Sequence, residues 1–142
     1  MKVNEIMTTD VEVIQPNDTL QTAALKMRKR DIGLLPVMDG HQLVGMLSDR
    51  DIILRATAEG MDPKAALGRD LMTSPVVSCY QDQDVKDAAE IMEKHQVRRL
   101  AVLDRKNEAL VGVLSLSDLA VTGNYKLSGE ILQHVSEPTG VR

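Results

Sequence analysis

Apolar and polar positions along the chain follow a pattern that is stated twice. Leu20, Ala23, Ala24, Met27 and Ile32 recur at helical spacing behind Asp18, with Arg28, Lys29 and Arg30 on the polar side. This predicts a first amphipathic helix. Val85, Ala88, Ala89 and Met92 repeat the stripe between Asp84 and His95. Leu34-Leu35-Pro36-Val37-Met38 and Leu100-Ala101-Val102-Leu103 read as buried strands, and Asp39-Gly40 and Arg105-Lys106-Asn107 as the turns that follow them. Glu12-Val13-Ile14 and Val76-Val77-Ser78-Cys79 are shorter strand candidates. Each hairpin then runs into Gly-x-Leu-Ser, at Gly45 to Ser48 and Gly112 to Ser115, and a further helix starts at Asp49 or Leu116. Val3 to Met7 and Ala65 to Met72 read as short lead-in helices. A last helix spans about Ser128 to Val135, before a polar tail expected to fray from Glu137.

The order strand, helix, strand, strand, helix therefore occurs twice, a tandem βαββα duplication. Met7-Thr8 aligns with Met72-Thr73, Val11 with Val76, Met27 with Met92, and Val37 with Val102. After Asp104 the second copy carries two extra residues in its turn, and Leu-Val-Gly, Leu-Ser and Asp then realign. One such unit cannot bury both faces of a three-stranded sheet, whereas two could, so an α/β (α+β) fold of two repeats packed sheet to sheet is expected. The sequence divides as repeat one over 1–61, repeat two over 62–122, and a C-terminal helix and tail over 123–142.

Composition narrows the function classes. The 142 residues are 43% hydrophobic and 27% charged, as in a soluble globular chain. Phe and Trp are absent and Tyr80 and Tyr125 are the two aromatics, so aliphatic residues and eight methionines must fill the core. A net charge of −4 without stacking aromatics argues against nucleic-acid binding. The single cysteine, Cys79, is compatible with a reducing compartment. No apolar run suits a signal peptide or a membrane span, so no membrane insertion and a cytoplasmic location are expected.

Within each motif the serine is placed as a helix N-cap, and the aspartate three residues on can complete a capping box. Ser48 and Ser115 lack the elbow and the His–Asp partners of a nucleophile. His41, His95, His134 and Cys79 lack the close pairing of zinc ligands, so no metal site and no catalytic residue are expected.

The double Met-Thr, the Ile-Gly-Leu-Leu-Pro-Val strand and the two Gly-x-Leu-Ser-x-x-Asp motifs resemble the CBS domain family, here as a tandem pair or Bateman module covering about residues 3 to 122. The resemblance implies pseudo-twofold symmetry between the repeats, a disk-like homodimer and an adenosyl ligand (AMP, ADP, ATP, S-adenosylmethionine or NAD) as effector in clefts between repeats, with no cofactor required. Carried over, Asp51 with Ser48 and Asp118 with Ser115 would hold ribose. Val11, Val13, Val76 and Ser78 would sandwich adenine. Arg98 and Arg99 stand where adenylate-binding members carry phosphate contacts. Gly33 and Leu34 are their uncharged counterparts, for which Arg50 is a partial substitute, and Ser117 is the residue aligned with Arg50. Ala101 replaces the usual proline, kept here as Pro36, with only a looser strand start expected. A carboxylate accepting from two vicinal hydroxyls contributes about 1.5–3 kcal/mol per charged hydrogen bond.

The expected function is a non-catalytic regulatory module that senses an adenine nucleotide and signals energy or metabolic state to a separate, unidentified effector protein. The alternative is a structural or protein-interaction dimer whose nucleotide sites are degenerate.

Overall fold

The computed structural model describes residues 1–122 and 125–137. Two compact units emerge, and their division differs from the sequence repeats. A central unit comprises Val11–Val76, and a split unit comprises Met1–Asp10 with Val77–Arg142. The lead-in segments are thus exchanged. Residues 1–10 of repeat one pack with repeat two, and the Leu71-Met72-Thr73 segment of repeat two packs with repeat one.

In the central unit, helix α1 (Leu20–Arg30) starts at Thr19, whose hydroxyl accepts from the Thr22 N–H at 3.2 Å. It ends at Asp31 in the left-handed conformation, with Arg28, Lys29 and Arg30 at its negative end. Leu20, Ala23 and Met27 form its buried stripe. Strands β1 (Leu34–Asp39) and β2 (Gln42–Ser48) pair antiparallel, joined through Gly40 at φ 61°. Beyond Ser48 a single turn, α2 (Asp49–Asp51), widens into a π-helical segment over Ile52–Thr57. Helix α3 (Gly68–Leu71) leads to Thr73, which bridges to Met46. Ile14, Leu35, Val37, Leu47 and Leu71 fill the core.

The split unit repeats this plan. Strand β3 (Ser78–Tyr80) runs parallel to β4 (Arg99–Leu103), with crossover helix α4 (Val85–His95) between them. Strand β5 (Leu110–Ser115) pairs antiparallel with β4 and leads into α5 (Leu116–Val121). Thr8 bridges to Val113 as Thr73 does to Met46. Val3, Met92, Leu100, Val102 and Leu114 share its core with Ile131 and Val135 of helix α6 (Tyr125–Ser136). The expected tail beyond Glu137 lies outside the described residues.

Two differences between the copies have physical causes. Glu12-Val13-Ile14, expected as a strand, makes a single bridge, Ile14 to Val37. Pro36 has no N–H to extend that pairing, whereas the Ala101 N–H donates to the Val77 carbonyl at 3.3 Å and β3 forms a ladder. Ala101 therefore supports its strand where a looser start was expected. Ala24 and Ile32, expected to face inward, are exposed, while Ala24's counterpart Ala89 is buried. Helix α6 belongs to the same core cluster as Ala89, and the central unit has no equivalent helix.

Candidate functional site

Each Gly-x-Leu-Ser-x-x-Asp motif is built where a strand hands over to a helix. The glycines pair with the first strand of each hairpin, Gly45 with Val37 and Gly112 with Val102, next to a bulge. At the strand end the serine and aspartate lock each other. The Ser48 N–H donates to Asp51 Oδ2 at 2.9 Å and the Asp51 N–H donates to Ser48 Oγ at 3.0 Å. In repeat two the Ser115 N–H donates to Asp118 Oδ2 at 2.8 Å and the Asp118 N–H to Ser115 Oγ at 3.0 Å. These reciprocal bonds satisfy donors that the first helical turn leaves open. They also fix the carboxylate, since one oxygen is spent on the cap and the other is aimed away from it.

The neighbouring strand brings the basic candidates to the motif. Arg99 and Ser115 are directly opposite in the β4–β5 register, and the Leu116 N–H donates to the Arg98 carbonyl at 2.8 Å. Both arginines are exposed, and Arg98 Nη2 reaches Ser136 Oγ at 3.4 Å. Ser78 opens β3, in register with Ala101. Ser117 is exposed one residue before Asp118.

In repeat one, Leu34 lies opposite Ser48 and the Asp49 N–H donates to the Gly33 carbonyl at 2.9 Å. A β-carbon on Gly33 would stand 2.7 Å from Asp49 Oδ2, so an acid overhangs the position aligned with Arg98. Arg50 is exposed beside it. Val11, Val13 and Val76 are half-buried. The Val13 carbonyl accepts from Lys26 Nζ at 2.7 Å, and none of the three shares a hydrogen bond with the motif among the described residues.

Two residues outside the sequence candidates touch Asp51. Thr73 Oγ1 donates to Asp51 Oδ1 at 3.4 Å, and Arg55 Nε stands 3.8 Å from the same oxygen. Arg55 Nη1 also donates to the Leu71 and Met72 carbonyls at 3.1 and 3.2 Å. The Asp51–Arg55 spacing of four residues on a helix was the available signal. Among the described residues no second partner is found for Asp118 Oδ1, nor any cluster of three or more His, Cys, Asp or Glu able to hold a metal.

Comparison with known proteins decides what this duplicated site belongs to. The CBS domain model matches residues 3–57 and again 68–122. The chain belongs to the CBS domain family. It is 39% identical over 135 residues to the CBS domain-containing protein YhcV of Bacillus subtilis, covering 94% of each chain. This CBS pair also resembles a crystal structure of Hypoxic Response Protein I with two coordinated zinc ions, at TM-score 0.76 and 34% identity, over 85% of this chain and 98% of that one. The CBS domain pair of protein MJ0100, solved with 5′-methylthioadenosine and S-adenosyl-L-methionine, matches at TM-score 0.75 and 25% identity, over 87% of this chain and 100% of that one. The mixed α/β CBS-pair fold, a small sheet with helices in each unit, is thereby established. Among the described residues no helix is long and apolar enough to cross a membrane.

Proposed function

We propose that this protein is a non-catalytic regulatory module that binds an adenine nucleotide at its Gly-x-Leu-Ser-x-x-Asp motif and relays that occupancy to a separate effector protein. The observation that carries the reading is the Asp118 carboxylate. One oxygen is fixed by Ser115 while Oδ1 has no partner among the described residues, and Arg98 and Arg99 lie at the start of the adjacent strand. A preoriented carboxylate can accept from both hydroxyls of a ribose, and exposed arginines on the neighbouring segment suit a phosphate. The adenosyl ligands of the MJ0100 pair support the same ligand class here. The family's adenine position falls to Val76 and Ser78 in this repeat and to Val11 and Val13 in the other, where Ser48 and Asp51 are the counterparts of the ribose residues and Arg50 the partial substitute for the phosphate arginines.

The protein works as a homodimer in this reading. Ile53 and Leu54 are 57% and 51% exposed beside the first motif, and Val121 is 87% exposed beside the second, which gives a second copy apolar surface to cover. Ligand shifts the shape of the module by no more than its difference in affinity between the shapes.

Thermal unfolding against AMP, ADP, ATP, NAD, S-adenosylmethionine and guanine nucleotides tests this. Ligand at ~100 times its dissociation constant adds about 2.7 kcal/mol, a shift of several degrees for a domain of this size. A selective adenosyl shift supports the sensor. A flat panel at millimolar ligand rejects it and favours the interaction dimer, to which the exposed Ile53, Leu54 and Val121 also point.

A further inference from the structure

We infer that the two motifs are not equivalent. The protein takes one phosphate-bearing adenosyl ligand per chain, at Asp118 of repeat two, because repeat one fills its own site with Arg55 and Asp49. This rests on the adenine-nucleotide reading above and adds which motif is used and what excludes the other.

The charge around each motif sets the difference. In repeat two the strand residues beside the serine are Arg98 and Arg99, and Leu116 follows the serine. In repeat one the strand residues are Gly33 and Leu34, and the residue after the serine is Asp49, whose carboxylate hangs over Gly33. The segment beside the second motif carries two arginines and no acid, whereas beside the first the Asp49 carboxylate offsets the single Arg50 next to it. Like charges at such separations repel, and this disfavours the phosphate at repeat one.

The aspartates differ too. Asp51 Oδ1, the oxygen a ribose would use, already accepts from Thr73 Oγ1 and faces Arg55 Nε. Arg55 is held from a second side by the Leu71 and Met72 carbonyls, so it cannot swing away without giving up those bonds. The Asp51 side chain is 15% exposed beneath it. At the position aligned with Arg55, repeat two has Thr122, whose hydroxyl donates to the Leu119 carbonyl in its own helix at 2.6 Å. Among the described residues no cation competes for Asp118 Oδ1 as Arg55 does for Asp51.

Equilibrium dialysis of AMP against the full chain tests the inference, with Asp118→Asn, Asp51→Asn and the double variant Asp49→Asn/Arg55→Gln alongside the wild type. Asparagine keeps an oxygen for each cap, glutamine keeps a donor for the Leu71 and Met72 carbonyls, and circular dichroism reports folding. The wild type should bind one AMP per chain. Asp118→Asn should weaken binding at least tenfold, and Asp51→Asn should leave it unchanged. The double variant should gain a second, weaker AMP, which a merely structural Arg55 would not produce. Two AMP per chain in the wild type, or loss of binding in Asp51→Asn with retention in Asp118→Asn, overturns the inference and leaves the nucleotide reading standing. Binding of S-adenosylmethionine without AMP does the same. No binding of any adenosyl compound overturns both.

Discussion

Gly112 lies directly beneath Met7. A β-carbon on the glycine would stand 2.8 Å from the Met7 sulfur and 2.8 Å from the Thr8 carbonyl oxygen. The Thr8 carbonyl cannot retreat, because it accepts from the Val113 N–H at 3.0 Å while the Thr8 N–H donates to Val113 at 2.9 Å. At Gly45 the three nearest obstacles all belong to the Met72 side chain. Gly112→Ala should therefore destabilise by about 1–3 kcal/mol, in the range of overpacked cores, and should stay damaging on a Met7→Ala background. Gly45→Ala should be milder, and no worse than Met72→Ala alone when the two are combined. Urea midpoints of the four single and two double variants check this.

Asp84 gives the split unit an acid-sensitive contact. Its carboxylate caps α4 by accepting from the Lys86 N–H at 2.9 Å, and the N-terminal amine stands 3.5 Å away. The backbone hydrogen bond first, and the amine's charge after it, hold the acid below its ordinary value. A carboxyl group lowered in the folded state stabilises fully above its unfolded value and loses that contribution as pH falls through the folded one. Asp84→Ala should therefore lower the melting temperature at pH 7. The gap to wild type should close as pH falls below about 4, the ordinary range of an aspartate. A gap unchanged at pH 3 would contradict the assignment.

Cys79 behaves in the opposite sense. It is 3% exposed in β3, and burial pushes its thiol up to about 11. Thiolate is the reactive form, so a disulfide reagent at pH 8 should label the folded protein only as fast as it opens. From about pH 9 to about 11 the unfolded chain loses a proton that the folded one keeps, so stability should fall with pH. Complete labelling within seconds in native buffer would contradict the buried placement.

Arg98 and Arg99 should contribute to phosphate and little else. Replacing both by alanine should weaken AMP about tenfold or more while largely sparing adenosine, since tenfold corresponds to about 1.4 kcal/mol. Calorimetric titration of both ligands separates the cases. Equal loss for both would make the pair structural.

Local signals were the legible ones. Ser48 and Ser115 cap where the sequence places caps, because a cap depends on residues within one turn; the first helix is capped by Thr19, one residue after the Asp18 that marks its start in the sequence. Both amphipathic helices and both hairpins form within a residue or two of their expected bounds. The exchange of lead-in segments was not legible. Met7-Thr8 and Met72-Thr73 are chemically the same, so either suits either glycine, and an internal repeat does not say which copy its lead-in packs against. The shortened pairing at Glu12 to Ile14 turns on the N–H missing from Pro36, a detail the apolar pattern does not carry. At the site, the cap partners were readable from the motif. The Arg55 contact to Asp51 depends also on Leu71 and Met72, far along the chain, and the Asp49 overhang depends on the register that brings Gly33 beside it.

The most direct test of the central claim is the dissociation constant of AMP for wild type and for Asp118→Ala, measured by calorimetry on protein shown to be folded. If Asp118 Oδ1 grips ribose, affinity falls roughly 10- to 100-fold, about 1.4–2.8 kcal/mol. An unchanged constant would remove Asp118 from the site and contradict the account.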